Sequence, residues 1–219
     1  IAVVMTAGHC VWDNAGQSFA KNWTFFPNYD KDSGLSRGKN YFATALFAPF
    51  GFTNQKSFNS TAILNDFGFA VISTSELNIL NLPNISIDSA FSNGKGDAFG
   101  YPAASPFDGQ ELIYSSGIVL SLIHISESTG IVSSDPNTGN MTWRLPSSMT
   151  GGASGGPWYN AYMDGTSVGS VSSINSYKYT SDKNSMYGPK FNSVTQEIFK
   201  AAVDGACTVS LTVNCRSLP

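Results

Sequence analysis

The chain opens on an apolar run, Ile1-Ala2-Val3-Val4-Met5, and short β-branched and aromatic runs recur at 41–47, 67–73, 112–121, 123–125 and 167–174. Each is bounded by Gly, Pro, Asn or Ser, a pattern that predicts strands. One segment has helical spacing instead: Val194, Ile198, Ala201 and Ala202 share one face of a predicted helix over 193–203. Asn192 or Ser193 can cap its start and Gly205 can end it. Many short strands with one late helix point to an all-β sandwich or barrel. A polar stretch at 92–97 precedes Phe99-Gly100-Tyr101-Pro102 and sets the expected domain division, 1–95 and 96–219. No repeat with a period of about 20–50 residues is visible.

Composition narrows the class. A chain of 219 residues buries about 70% of its unfolded surface, so its core needs no staples. Charged residues make up 12% of the chain, about half the usual ~25%, while 13% aromatic residues give enough apolar surface to exclude disorder. With no apolar run of about 18 residues, no transmembrane helix and no membrane partner are expected. A net charge of −3 with 12 Lys and Arg makes a poor nucleic-acid binder.

The chain starts at Ile1 with no leader pattern, so the expectation is a processed or N-terminally truncated protein. Of three cysteines, Cys207 and Cys215 lie close enough in sequence to form a small structural disulfide. No ligand cluster accompanies them, so no metal site is expected. Cys10 is left over, which implies a partner upstream of Ile1 or a free thiol. Four N-x-S/T sequons, at Asn22, Asn59, Asn84 and Asn140, favour a glycosylated, secreted, extracellular protein.

Three segments carry chemistry: Thr6-Ala7-Gly8-His9-Cys10 after the first apolar run, Asn65-Asp66-Phe67-Gly68-Phe69-Ala70-Val71, and Thr150-Gly151-Gly152-Ala153-Ser154-Gly155-Gly156-Pro157-Trp158. A serine between glycine pairs sits where backbone N–H groups can converge on an oxyanion. Its hydroxyl needs an adjacent base, and that base needs an orienting partner. Imidazole suits the first role and a buried carboxylate the second. Chain order separates the possibilities. Both histidines, His9 and His124, precede Ser154, whereas an α/β-hydrolase elbow needs its histidine after the serine. The order Asp66, His124, Ser154 lacks a G-T-S-M-A motif. Moreover, residues 120–127, LSLIHISE, resemble a translated sequencing-adapter end, so His124 is assigned no function. The order His9, Asp66, Ser154 remains.

On these motifs, T-A-G-H-C, D-F-G-F-A and G-x-S-G-G-P in order, with G-Y-P at residues 100–102, the chain resembles the chymotrypsin-like serine proteases. It looks most like their secreted trypsin-like and V8-like branch. The resemblance implies two six-stranded antiparallel β-barrels with a C-terminal helix. His9 and Asp66 would come from the first barrel and Ser154 from the second. The implied oxyanion hole is the N–H groups of Gly152 and Ser154. Ser172 and Ser173 would lie on the strand that pairs with an extended substrate. No cofactor is implied, and the expected partner is a protein or peptide substrate taken by a monomer.

Departures from the family sharpen the expectation. Ala153 stands where trypsin-type enzymes carry the aspartate that receives a freed N-terminal amine, and Ile1 lies only eight residues before His9. Ile1 is therefore not an activation terminus, and the first barrel is expected to be incomplete, with exposed strand edges. Ser148 matches the base of the first specificity pocket, with Met149 on its wall. Serine there offers no charge for Arg or Lys, and no histidine follows Ser154 to favour Glu. The function expected is a serine endopeptidase acting through an acyl-enzyme. The alternative is a catalytically silent homologue that binds a partner.

Overall fold

The structure, a computed structural model, describes residues 1–27, 29, 40–73, 86–87, 91, 95–116, 132–160 and 170–218. In chain order the strands are β1 (Ala2–Thr6), β2 (Trp12–Asp13), β3 (Ser18–Phe19), β4 (Thr24–Phe25), β5 (Tyr41–Pro49), β6 (Gly68–Ile72), β7 (Ser86–Ile87) and β8 (Asp97–Gly100). There follow β9 (Ile113–Ser116), β10 (Ser133–Ser134), β11 (Thr142–Pro146), β12 (Pro157–Asn160), β13 (Ser170–Ile174), β14 (Ser185–Pro189) and β15 (Val213–Ser217). Among the described residues there are two α-helices, a single turn α1 (Phe50–Thr53) and the longer α2 (Ser193–Asp204). The chain is thus mostly β, as expected, and divides into two compact units, 1–82 with 193–219, and 83–192.

The first unit is built on an antiparallel sheet in the order β1-β6-β5-β15, with β4 also on β5. Every residue of β6 is buried, because the strand has a neighbour on each side and α2 covers the sheet. Thr195, Ile198 and Ala202 form the buried stripe of that helix, and Phe199 meets Phe69 at a ring separation of 5.6 Å. A second cluster joins Val11, Phe19, Ala43, Leu46, Ala48 and Ala70. The helix and the tail after it were expected with the second domain. They pack instead on the first unit: β15 pairs with β5 from Val213 opposite Pro49 to Ser217 opposite Ala45. The Cys207–Cys215 disulfide, spanning eight residues, ties the chain after α2 to this strand and is worth about 2.5 kcal/mol on a loop-closure argument. Cys10 is a free, half-buried thiol.

The second unit holds a sheet ordered β7-β13-β12-β8-β9 and a smaller one ordered β10-β11-β14. Ala98, Val132, Leu145, Met149, Ala153, Trp158 and Met186 form its core, with Phe91, Ile113 and Trp143 packed against them. Asp135, 1% exposed, is satisfied by the hydroxyls of Tyr177 and Tyr179, which donate to its Oδ2 at 2.9 and 2.8 Å. Six-stranded barrels were expected, but among the described residues the largest sheets have five strands and none closes on itself. The expected strand 123–125, residues 117–121 of the run 112–121, His124 and Asn84 lie outside the described residues.

Candidate active site

In the first unit, the placement of His9 and Asp66 follows from the β1–β6 pairing, which ends with Thr6 opposite Gly68. Beyond that pair the chain turns at Gly8–Cys10 in one 3-10 turn, and just before it Asp66 occupies an inverse γ-turn, with φ −80°, ψ 63° and Phe67 N donating to Asn65 O at 2.8 Å. The two turns therefore meet. His9 Nδ1 lies 2.8 Å from Asp66 Oδ2, and the His9 backbone N–H donates to Asp66 Oδ1 at 2.8 Å. Both carboxylate oxygens are engaged by one residue, which fixes the imidazole plane. Asp66 is fully buried while the His9 side chain is 30% exposed. Because a carboxylate can only accept, the proton sits on Nδ1 and Nε2 is the basic nitrogen.

Burial of the imidazole works to lower its pKa, but the hydrogen bond and charge of Asp66, with Cys10 beside it, outweigh this and raise it from 6.5 to about 10. Phe58, 44% exposed, meets the His9 ring in a T-shaped arrangement, with ring centroids 5.5 Å apart. The turn before Asp66 is capped by Asn59, whose Oδ1 accepts from Thr61 N at 3.0 Å and Ala62 N at 2.9 Å. Asn22, Asn59 and Asn140 are all exposed.

In the second unit, Ser154 lies in the loop 150–156. Gly152 has φ +100°, and a Cβ there would sit 2.7 Å from both the Cβ and the backbone N of Ala103, so the turn requires glycine. Gly151 O is anchored by the N–H groups of Ala103 and Ala104 at 2.7 and 3.0 Å. In a trans peptide the C=O and N–H point opposite ways. Anchoring Gly151 O inward therefore turns the Gly152 N–H outward. Within this unit the amides of Gly152 and Ser154 have no acceptor among the described residues, which is the condition for an oxyanion hole. Ser154 itself is half-exposed.

Gly156 packs so closely that an added Cβ would overlap the Phe99 carbonyl oxygen and lie 2.7 Å from Asn175 Nδ2. Gly156→Ala should destabilise the second unit by about 3 kcal/mol through this overlap. A thermal-unfolding midpoint equal to wild type would contradict that packing.

The other expected residues are placed as follows. Ser148 is exposed. Met149, expected on a pocket wall, is fully buried in the core. Ser172 and Ser173 lie on β13 with buried side chains, and Ser173 Oγ donates to Pro189 O at 2.8 Å. Sequence reasoning missed Lys178, whose Nζ donates to the carbonyls of Ser147, Met149 and Lys183 at 3.0, 2.6 and 2.8 Å. Burial pushes its pKa down, against the opposing charge of Asp182. It also missed Asn175, a fully buried amide directly after β13. An Asn closing an otherwise buried strand was the available signal.

No family model and no curated protein matches the chain. Among solved structures, the protease Anisep from Arthrobacter nicotinovorans is 32% identical, with a TM-score of 0.74 over 93% of this chain and 84% of that one. The thermostable serine protease AL20 from an extremophilic microorganism is 33% identical, with a TM-score of 0.73 over 92% and 85%. A Glu endopeptidase solved with MPD, 19% identical, shares the fold at a TM-score of 0.63 over 91% and 80%. The chain belongs to the chymotrypsin-like, V8-like family of serine proteases.

Proposed function

We propose that the protein is a serine endopeptidase in which Ser154 attacks the scissile carbonyl, His9 takes its proton and Asp66 holds His9. Attack forms the Ser154 Oγ–carbonyl bond, and the proton passes to His9 Nε2. As the C–N bond breaks, His9 returns that proton to the leaving amine, and water then releases the acyl group by the same route. The amides of Gly152 and Ser154 receive the oxyanion. The observation that carries the reading is the paired 2.8 Å contact of buried Asp66 with both the ring and the backbone of His9. That arrangement prepares an imidazole to act as a base at Nε2. The reading includes two barrels in the whole fold, secretion, glycosylation at the exposed sequons, a monomeric state and no cofactor. No observation favours the catalytically silent alternative.

A fluorophosphonate probe tests the assignment. Mass spectrometry of the labelled, folded chain should place the adduct on Ser154. Folded protein left unlabelled would overturn it.

The first specificity pocket is proposed to lie along 147–149, with Ser148 at its base. The Lys178 ammonium behind two of these carbonyls disfavours a cationic substrate side chain. A peptide-library cleavage profile should accordingly show a polar or apolar residue before the cut. A profile dominated by Arg, Lys or Glu would refute this placement.

A further inference from the structure

We infer that Asn175 is a positioning residue that aims the Ser154 N–H at the oxyanion, an inference that rests on the serine-protease reading of Ser154. Its side-chain amide is saturated: Nδ2 donates to Phe99 O at 2.8 Å and Ala153 O at 3.0 Å, and Oδ1 accepts from Trp158 Nε1 at 2.6 Å. Its main chain donates to Gly156 O and accepts from Gly155 N, both at 2.8 Å. Three residues around the nucleophile, Ala153, Gly155 and Gly156, are thus tied to one buried asparagine.

The contact with Ala153 O is the decisive one. Ala153 C=O and Ser154 N–H belong to one planar trans peptide, so they point in opposite directions. Drawing Ala153 O inward onto Asn175 Nδ2 turns the Ser154 N–H outward. The Gly151–Gly152 peptide is turned the same way through the amides of Ala103 and Ala104. Each proposed oxyanion donor is therefore aimed by fixing the carbonyl of its own peptide. For Ser154 the second anchor, Gly156 N at 3.2 Å, is the longer bond.

Asn175→Asp and Asn175→Ala test this. The aspartate variant keeps the acceptor for Trp158 and presents a carboxylate, without donors, to two carbonyls. Loss of one oxyanion donor costs about 10²–10³-fold in kcat, and both variants should lose kcat on that scale with KM within about twofold of wild type. A peptide boronic acid should bind more weakly by a similar factor, while a product peptide binds unchanged. For Asn175→Asp, boronate affinity relative to wild type should recover as the pH falls, because the protonated acid regains a donor. A folded variant with wild-type kcat, or one that raises KM alone, would overturn the inference.

Should both variants fail to fold, the wild type still decides the matter. Its Asn175 Nδ2 protons should appear in ¹⁵N-resolved spectra as an inequivalent, slowly exchanging pair, and rapid exchange would overturn the inference. Wild-type protein that neither turns over nor takes the fluorophosphonate would instead refute the underlying serine-protease reading.

Discussion

Replacing Ser154 by alanine should abolish peptide hydrolysis, leaving at most the residual acceleration of about 10³–10⁴ over water that binding and the oxyanion hole provide when a triad member is lost. The effect is expected to be chemical alone. The loop around Ser154 is held through backbone groups and through Asn175: Gly155 N and Asn175 N make 2.8 Å bonds to Asn175 O and Gly156 O. None of these involves the Ser154 hydroxyl. Ser154 is also half-exposed, so deleting Oγ leaves no cavity, and stability should stay within about 0.5 kcal/mol. Turnover by the purified variant on a chromogenic peptide, beside its thermal midpoint, checks both halves of the prediction. Activity near wild type would refute the nucleophile assignment. A large fall in midpoint would instead make the serine structural.

Much of this architecture was legible in the chain because its local patterns are strong. The predicted helix over 193–203 is observed as α2, Ser193–Asp204, since the 3.6-residue period and its flanking residues agree. The apolar run at 67–73 became β6, Gly68–Ile72. Asp66 lies in a turn just before that strand, where a tight bend presents its carboxylate to His9. What stayed hidden depends on distant partners. β15, Val213–Ser217, reads as a polar tail, yet its register is set by β5 more than 160 residues earlier. That long-range pairing also moved α2 to the first unit. In the candidate site, the residue types and chain order of His9, Asp66 and Ser154 were visible, but Asn175 was not. Its partners at Phe99, Ala153 and Trp158 come together only on folding. Met149, expected on a pocket wall, packs into the core: an apolar residue near a specificity pocket can serve the wall or the core, and only packing decides.

Asp66→Asn should lower kcat by about 10⁴-fold while leaving the site geometrically intact. The carboxylate accepts two hydrogen bonds from His9, at Nδ1 and at the backbone N–H. An asparagine can keep the backbone bond through Oδ1 and turn its NH₂ toward the ring. Nδ1 must then become the acceptor, which places the proton on Nε2, the atom that should receive it from Ser154. The same substitution removes the main cause that raises the His9 pKa and leaves burial, which lowers it. A general base works when neutral, so wild-type kcat/KM should climb through an acid limb above pH 6.5. In the variant the much smaller rate should reach its plateau at lower pH. Stability should respond with the opposite sign. A folded-state pKa raised from 6.5 toward 10 contributes stabilisation that is complete below about pH 6.5 and is lost as the pH rises through the folded value. Wild type should therefore lose unfolding free energy between pH 6.5 and 10, and Asp66→Asn should lose less. Rate profiles and urea midpoints at about pH 6 and 9, on either side of the ordinary imidazole value, measure both slopes. An acid limb that stays in place in the variant would mean that something other than Asp66 sets the basicity of His9.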